Sequence, residues 1–153
     1  MPLTPLAFRP SFEENPKLAK ASHNLSSLLD AIGQKNIPSA QEQKINEIIA
    51  GANSFSGPDP ELLKQLRSAQ TGILKLLEKD LQIVPKGHFQ AQWMGIGMAA
   101  FGIPFGVAFG AALGNMAFLG IGLPIGLAIG TAIGVSKDKQ ALAEGRQLDW
   151  VAK

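Results

Sequence analysis

The chain of 153 residues contains two histidines, His23 and His88, and no cysteine or tyrosine. Nucleophilic catalysis needs an activated side chain beside a base that is itself oriented. Neither histidine has the other nearby in sequence, and both are expected on the surface, because ligation by histidine requires partners at short fixed spacing. Glu13-Glu14 and Lys79-Asp80 are adjacent surface charges, not an acid–base pair. Gly95-Ile96-Gly97 and Gly120-Ile121-Gly122 begin like phosphate-binding loops. Neither follows a strand, completes GxGxxG or has a Lys or acidic partner at useful spacing. The expectation is no catalytic residue, no metal ligand, no cofactor and no enzyme. The absence of Cys also excludes disulfides, thiolate metal sites and lipid attachment through Cys.

The spacing offers packing chemistry instead. GIPFGVAFGAALG, residues 102–114, is echoed by GLPIGLAIGTAIG, residues 122–134, with every Gly, the Pro and two Ala in common. Gly102, Gly106, Gly110 and Gly114 are each four residues apart, as are Gly122, Gly126, Gly130 and Gly134. Steps of four stay on one slowly drifting face of a helix, so each ladder is a groove without side chains. Glycine costs a helix about 1 kcal/mol per site relative to alanine. Close approach of another helix is the compensation that the pattern points to, as between helices in lipid. Phe101, Phe105, Phe109, Ile121, Ile125, Ile129 and Ile133 each precede a glycine and lie off the groove. Pro104 and Pro124 hold equivalent positions and are expected to kink or break their helices.

The elements that hold these ladders follow from charge and length. Residues 89–136 carry no Asp, Glu, Lys, Arg or His. A bilayer crossing takes about 20 apolar residues, so this segment accommodates two. Asn115 is the strong polar residue near its middle and marks the turn, giving spans near 92–113 and 117–136. Trp93 stands at the first boundary as an interfacial anchor. Lys86 and His88 before the first span, and Lys137 and Lys139 after the second, belong on one side of a hairpin.

Residues 1–88 have ten Lys/Arg and nine Asp/Glu, a mixed polar surface. Residues 1–15, with three prolines after Met1 and no clear period, are expected to be an extended arm. Asn15-Pro16 starts a helix as cap and first-turn proline, with Leu18, Ala21, Leu25, Leu28, Leu29 and Ile32 on one stripe. Ser39 and Glu42 have capping-box spacing ahead of Ile45, Ile48, Ile49 and Ala52. Asp59-Pro60-Glu61 opens a third helix, with Leu62, Leu66, Ala69, Ile73, Leu76 or Leu77, and Leu81 on its face. The expected fold is all-α: a three-helix amphipathic module over residues 16–86, a transmembrane hairpin over 89–136 and a charged tail over 137–153. The N-terminus lacks the basic region and long apolar run of a secretory signal, so no cleaved signal is expected. The net charge of +2 is too small and too evenly spread for a nucleic-acid footprint.

The doubled ladder resembles the glycine zipper, the extended GxxxGxxxG packing motif of certain channels and pore-forming toxins. NMAFLGIGLPIGLAIGTAIG followed by DKQALAEGRQLD is also similar to a group of small bacterial glycine-zipper membrane proteins. The resemblance covers about residues 92–149 and leaves the N-terminal helices unexplained. It implies a membrane-embedded homo-oligomer in a bacterial inner membrane, of the producer or of a target cell, with the glycines as contact ladders. The whole architecture is similar to small pore-forming effectors that bacteria deliver into rivals. That likeness implies the lipid bilayer as partner, with a chaperone, secretion component or immunity protein beside it. The alternative is a resident, non-conducting scaffold or adaptor anchored by the hairpin.

Overall fold

The structure, a computed structural model, describes residues 2–152. Among the described residues the chain is all-α apart from two strands of two residues each, and it divides into two compact units. One comprises Met1–Pro85 with Leu148–Lys153, the other Lys86–Gln147.

In the first unit, the side chain of Asn15 accepts from Lys17 N at 3.1 Å and Pro16 holds the first helical position. Helix α2 (Pro16–Gly33) follows the short α1 (Ser11–Glu14); α3 (Ser39–Ser54) and α4 (Asp59–Leu81) complete the set. Their apolar stripes meet in one core. Leu18, Leu25 and Leu28 from α2, Ile45 and Ile49 from α3, and Leu66, Ile73 and Leu77 from α4 are all fully buried. Ile48, Leu76 and Leu81 pack at its margin.

Several local expectations are corrected. Ser39 does not cap α3: Pro38 occupies the N-cap position in extended backbone and its carbonyl accepts from Gln41 and Glu42, so there is no capping box. Pro58 likewise precedes α4, and Asp59 is its first residue. The Asp59 carboxylate accepts from Asn15 Nδ2 at 3.3 Å, joining the starts of two helices. The arm is extended only to Arg9. Beyond it Ser11–Glu14 form a helical turn, because Phe12 is buried and Pro10 already holds helical backbone.

The charged tail is not a free tail. Helix α7 (Leu119–Ala143) runs on past the apolar segment. After Gly145, at positive φ, the chain re-enters the first unit. Leu148 is fully buried there, and Trp150 Nε1 donates to Ser27 Oγ at 3.0 Å. Leu148 and Trp150 gain from burial, while the neighbouring Asp149 stays exposed. Leu148 belongs to β2 (Gln147–Leu148), which pairs with β1 (Val84–Pro85).

Candidate functional site

The second unit is a pair of long apolar helices. The first runs from His88 to Leu113 as α5 (His88–Gly97), a π turn (Met98–Gly102) and α6 (Ile103–Leu113); its partner is α7. The first starts four residues before the span expected at 92–113, and the second runs seven residues past the span expected at 117–136; a single carboxylate holds the early start of the first. Gly87, at φ 76°, turns the chain into α5 and offers no local side-chain cap. Asp138, on α7, supplies one from across the pair: its two carboxylate oxygens accept from Phe89 N at 3.1 Å and Gln90 N at 3.0 Å. The negative charge answers the orphan amides and the positive end of the helix dipole. Asp138 is only 9% exposed, and Gln147 Nε2 donates to its backbone carbonyl at 3.3 Å. Beside it the Lys137 ammonium lies 5.5 Å from the centre of the Trp93 ring, a cation–π contact. At the C-terminal cap of α7 the Glu144 pKa is lowered, first by the hydrogen bond from Arg146 and then by that from Gln140.

From this end the helices meet backbone to backbone. A Cβ added at Gly134 falls 2.5 Å from Gln90 Cα, and one at Gly126 falls 2.5 Å from both Gly97 O and Gly102 N. At Gly130 it strikes the carbonyl of Trp93, and at Gly122 the carbonyl of Gly102 and the amide of Gly106. Every one of these obstacles is main chain, so no rotamer change makes room.

The inner row of the first helix is Gly97, Gly102, Gly106 and Gly110, all buried, and the first three of these meet α7 main chain. It differs from the expected ladder at both ends. Gly114 is exposed and outside the row, with φ 64°. Its N–H donates to Ala111 O at 3.4 Å, and Asn115 N–H to Gly110 O at 3.0 Å. These two bonds end α6 in a Schellman motif, where glycine is used for its left-handed backbone. Asn115 is in the turn: its Oδ1 accepts from Ala117 N at 2.9 Å, and a 3₁₀ turn, Met116–Phe118, leads into α7.

Gly97 joins the row by a step of five residues to Gly102. In a regular helix that step swings a residue off the face. The π turn absorbs the additional residue, with Ile103 N–H donating to Met98 O. Pro104 is the second residue of α6, just beyond it, and has no amide to offer. The sequence reading of a break at Pro104 thus corresponds to a change of helix type. Pro124, by contrast, lies inside α7, which continues through it. Both prolines are exposed.

The outside of the pair is apolar. Ile103 is 50% exposed, Leu113 59% and Ile121 51%; Phe105, Phe109 and Ile125 are also exposed, while Phe101, Ile129 and Ile133 are half-buried. His23 lies exposed on α2 and His88 is the first residue of α5. No cluster of three or more His, Cys, Asp or Glu suited to a metal occurs among the described residues.

Sequence reasoning missed Gly97, Asp138 and the Lys137–Trp93 contact. The signals were faint: a glycine one step out of phase, seven residues before a proline, and one acidic residue between two lysines directly after the apolar run. Comparison of the chain with protein-family models, curated proteins and solved structures gives no match.

Proposed function

We propose that residues 88–143 form a membrane-inserted hairpin locked by a glycine zipper, and that several copies assemble to permeabilise the bilayer. The observation that carries insertion is the inversion of the usual packing: the smallest residues face inward and the large apolar ones outward. Only 22% of the apolar window in each helix is buried. A core helix of a soluble domain hides most of its surface, whereas a lipid-exposed pair needs to hide only a seam. Twenty-six residues in the first helix and 25 in the second, at about 1.5 Å each, exceed the roughly 30 Å of a hydrocarbon core.

Backbone against backbone leaves no channel between the two helices of one copy, so permeation requires assembly through other faces. Two residues beyond the inner glycines, on the far side of each helix, lie Pro104, Ala108 and Ala112 and Pro124, Ala128 and Ala132, small and exposed. These rows are where copies approach in this reading. With no Asp, Glu, Lys or Arg over residues 89–136, conduction relies on main-chain carbonyls, Asn115, Thr131 and water, and selectivity is weak. The partners are the bilayer and further copies of the chain, the role is not enzymatic, and a bacterial inner membrane is the setting that the glycine-zipper likeness suggests.

One observation favours the second reading, a non-conducting anchor for a scaffold or adaptor. Gly97, Gly102, Gly122, Gly126, Gly130 and Gly134 are all engaged within one chain, so the hairpin is complete as a monomer. Dye release from liposomes holding the purified full chain separates the two. Permeabilisation predicts release that rises more steeply than linearly with protein per vesicle. Insertion without release at any loading establishes the anchor.

A further inference from the structure

Residues 2–9 form neither helix nor strand, yet they are fastened along α3 at three points. Asn46 Oδ1 accepts from Thr4 N at 2.7 Å, while its Nδ2 donates to Pro2 O at 3.3 Å. Asn53 repeats the arrangement: Oδ1 accepts from Ala7 N at 2.8 Å and Nδ2 donates to Pro5 O at 3.1 Å. The Arg9 guanidinium then donates to the carbonyls of Ala52 and Asn53, at 3.2 and 2.8 Å, closing the C-terminal end of α3.

The arm repeats in step with its two clamps. Pro2-Leu3-Thr4 is followed by Pro5-Leu6-Ala7, and in each triplet the proline carbonyl and the third residue's amide meet one asparagine. The middle residues, Leu3 and Leu6, pack against the core. Seven helical residues from Asn46 to Asn53 advance about 10.5 Å at 1.5 Å each. One triplet of extended proline-rich chain advances about 9.3 Å at 3.1 Å per residue. The two spacings agree closely enough for both amides to close at once. Proline sits only where no N–H is used, and each asparagine side chain bonds to main chain. The site therefore recognises a backbone conformation, with leucine every third residue as its side-chain requirement.

We propose that Asn46 and Asn53 form a binding site for an extended Pro-Leu-Xaa repeat, that residues 2–9 are its occupant in cis, and that the arm of a second copy takes the same site by exchange. The occupant in trans is a second copy because the fitting segment is part of this chain, and exchange replaces every contact by an identical one. What remains is a competition between a tethered arm and an arriving one, set by local concentration. This inference does not depend on membrane insertion.

The full chain has no cysteine, so one introduced thiol reports one position. A copy carrying Thr4→Cys is mixed in detergent with an isotopically heavy copy carrying Ala50→Cys, which lies on the same helical face as Asn46 and Asn53. A short bifunctional maleimide then links them. Heterodimer cross-links that grow with concentration, fall when synthetic PLTPLAFR is added in excess, and fall about tenfold or more with Asn46→Ala/Asn53→Ala support exchange. Cross-links that ignore both the peptide and the double variant overturn it, as does their absence at millimolar chain. Should the double variant lose helical circular dichroism, peptide competition on the chain with both asparagines decides alone.

Discussion

The two units use the same helix in opposite ways. In the first, Leu18, Leu25, Ile45, Ile73 and their neighbours fill the space between helices with branched side chains. In the second, Gly97, Gly122, Gly126 and Gly130 remove that space, and the branched side chains point away. Burial of apolar surface drives the first arrangement, since water is the alternative. Where lipid is the alternative, outward leucine and isoleucine lose nothing, and the number of close main-chain contacts decides. Polar groups follow the same division. The first unit uses Asn46 and Asn53 to hold an arm, whereas Asp138 in the second completes a helix end that has no cap of its own.

The comparison breaks most visibly at Gly130. Gly130→Leu places a side chain where the Trp93 carbonyl lies, so the helices must separate. We expect a loss above about 4 kcal/mol, the range of overlaps that no local shift relieves. It should appear as loss of the hairpin's resistance to denaturing detergent while its helical circular dichroism persists. Unchanged resistance would mean that the helices are not in main-chain contact.

In the first unit the logic reverses, and making a residue smaller does the damage. Leu25→Ala or Ile73→Ala, both from fully buried positions, should cost about 2–5 kcal/mol in chemical denaturation. A loss below 1 kcal/mol would show that the core is not closed there. Next in size is Asp138→Ala, which frees two amides at the start of α5. About 0.5–2 kcal/mol follows from the loss of a cap, localised as faster hydrogen exchange at Phe89 and Gln90. Exchange that stays unchanged would show these amides to be satisfied by another group. The smallest effect is at Gly95, where an added Cβ meets open space. Gly95→Ala should be neutral or stabilising by up to about 1 kcal/mol, and clear destabilisation would place another surface against it.

How much was legible depends on whether the cause is local. The leucine stripes of α2 and α4 follow helical periodicity directly, because burial selects side chains at that period. The row Gly122, Gly126, Gly130 and Gly134 was legible for the same reason, in a helix that stays regular past Pro124. Its counterpart was legible only in part. Gly114 keeps the spacing but serves the turn, and Gly97 breaks the spacing but joins the row, since the π turn before Pro104 resets the phase. Asp138 was illegible: a cap supplied from another helix leaves no trace near the helix it caps. So was the docking of residues 2–9, whose hydrogen bonds run from asparagine side chains to main chain and whose two leucines are too few to mark a period. Leu148 and Trp150 were hidden by the charges around them.

The account stands on one claim, that this glycine-packed pair crosses a bilayer with its ends together. Single cysteines at Lys86, Asn115 and Lys139, in full-length protein reconstituted in sealed vesicles, can be probed with an impermeant thiol reagent before and after lysis. The account predicts that positions 86 and 139 react from the same side and that position 115 reacts only from the other. Labelling of 86 and 139 from opposite sides, or of all three from one side, would contradict it.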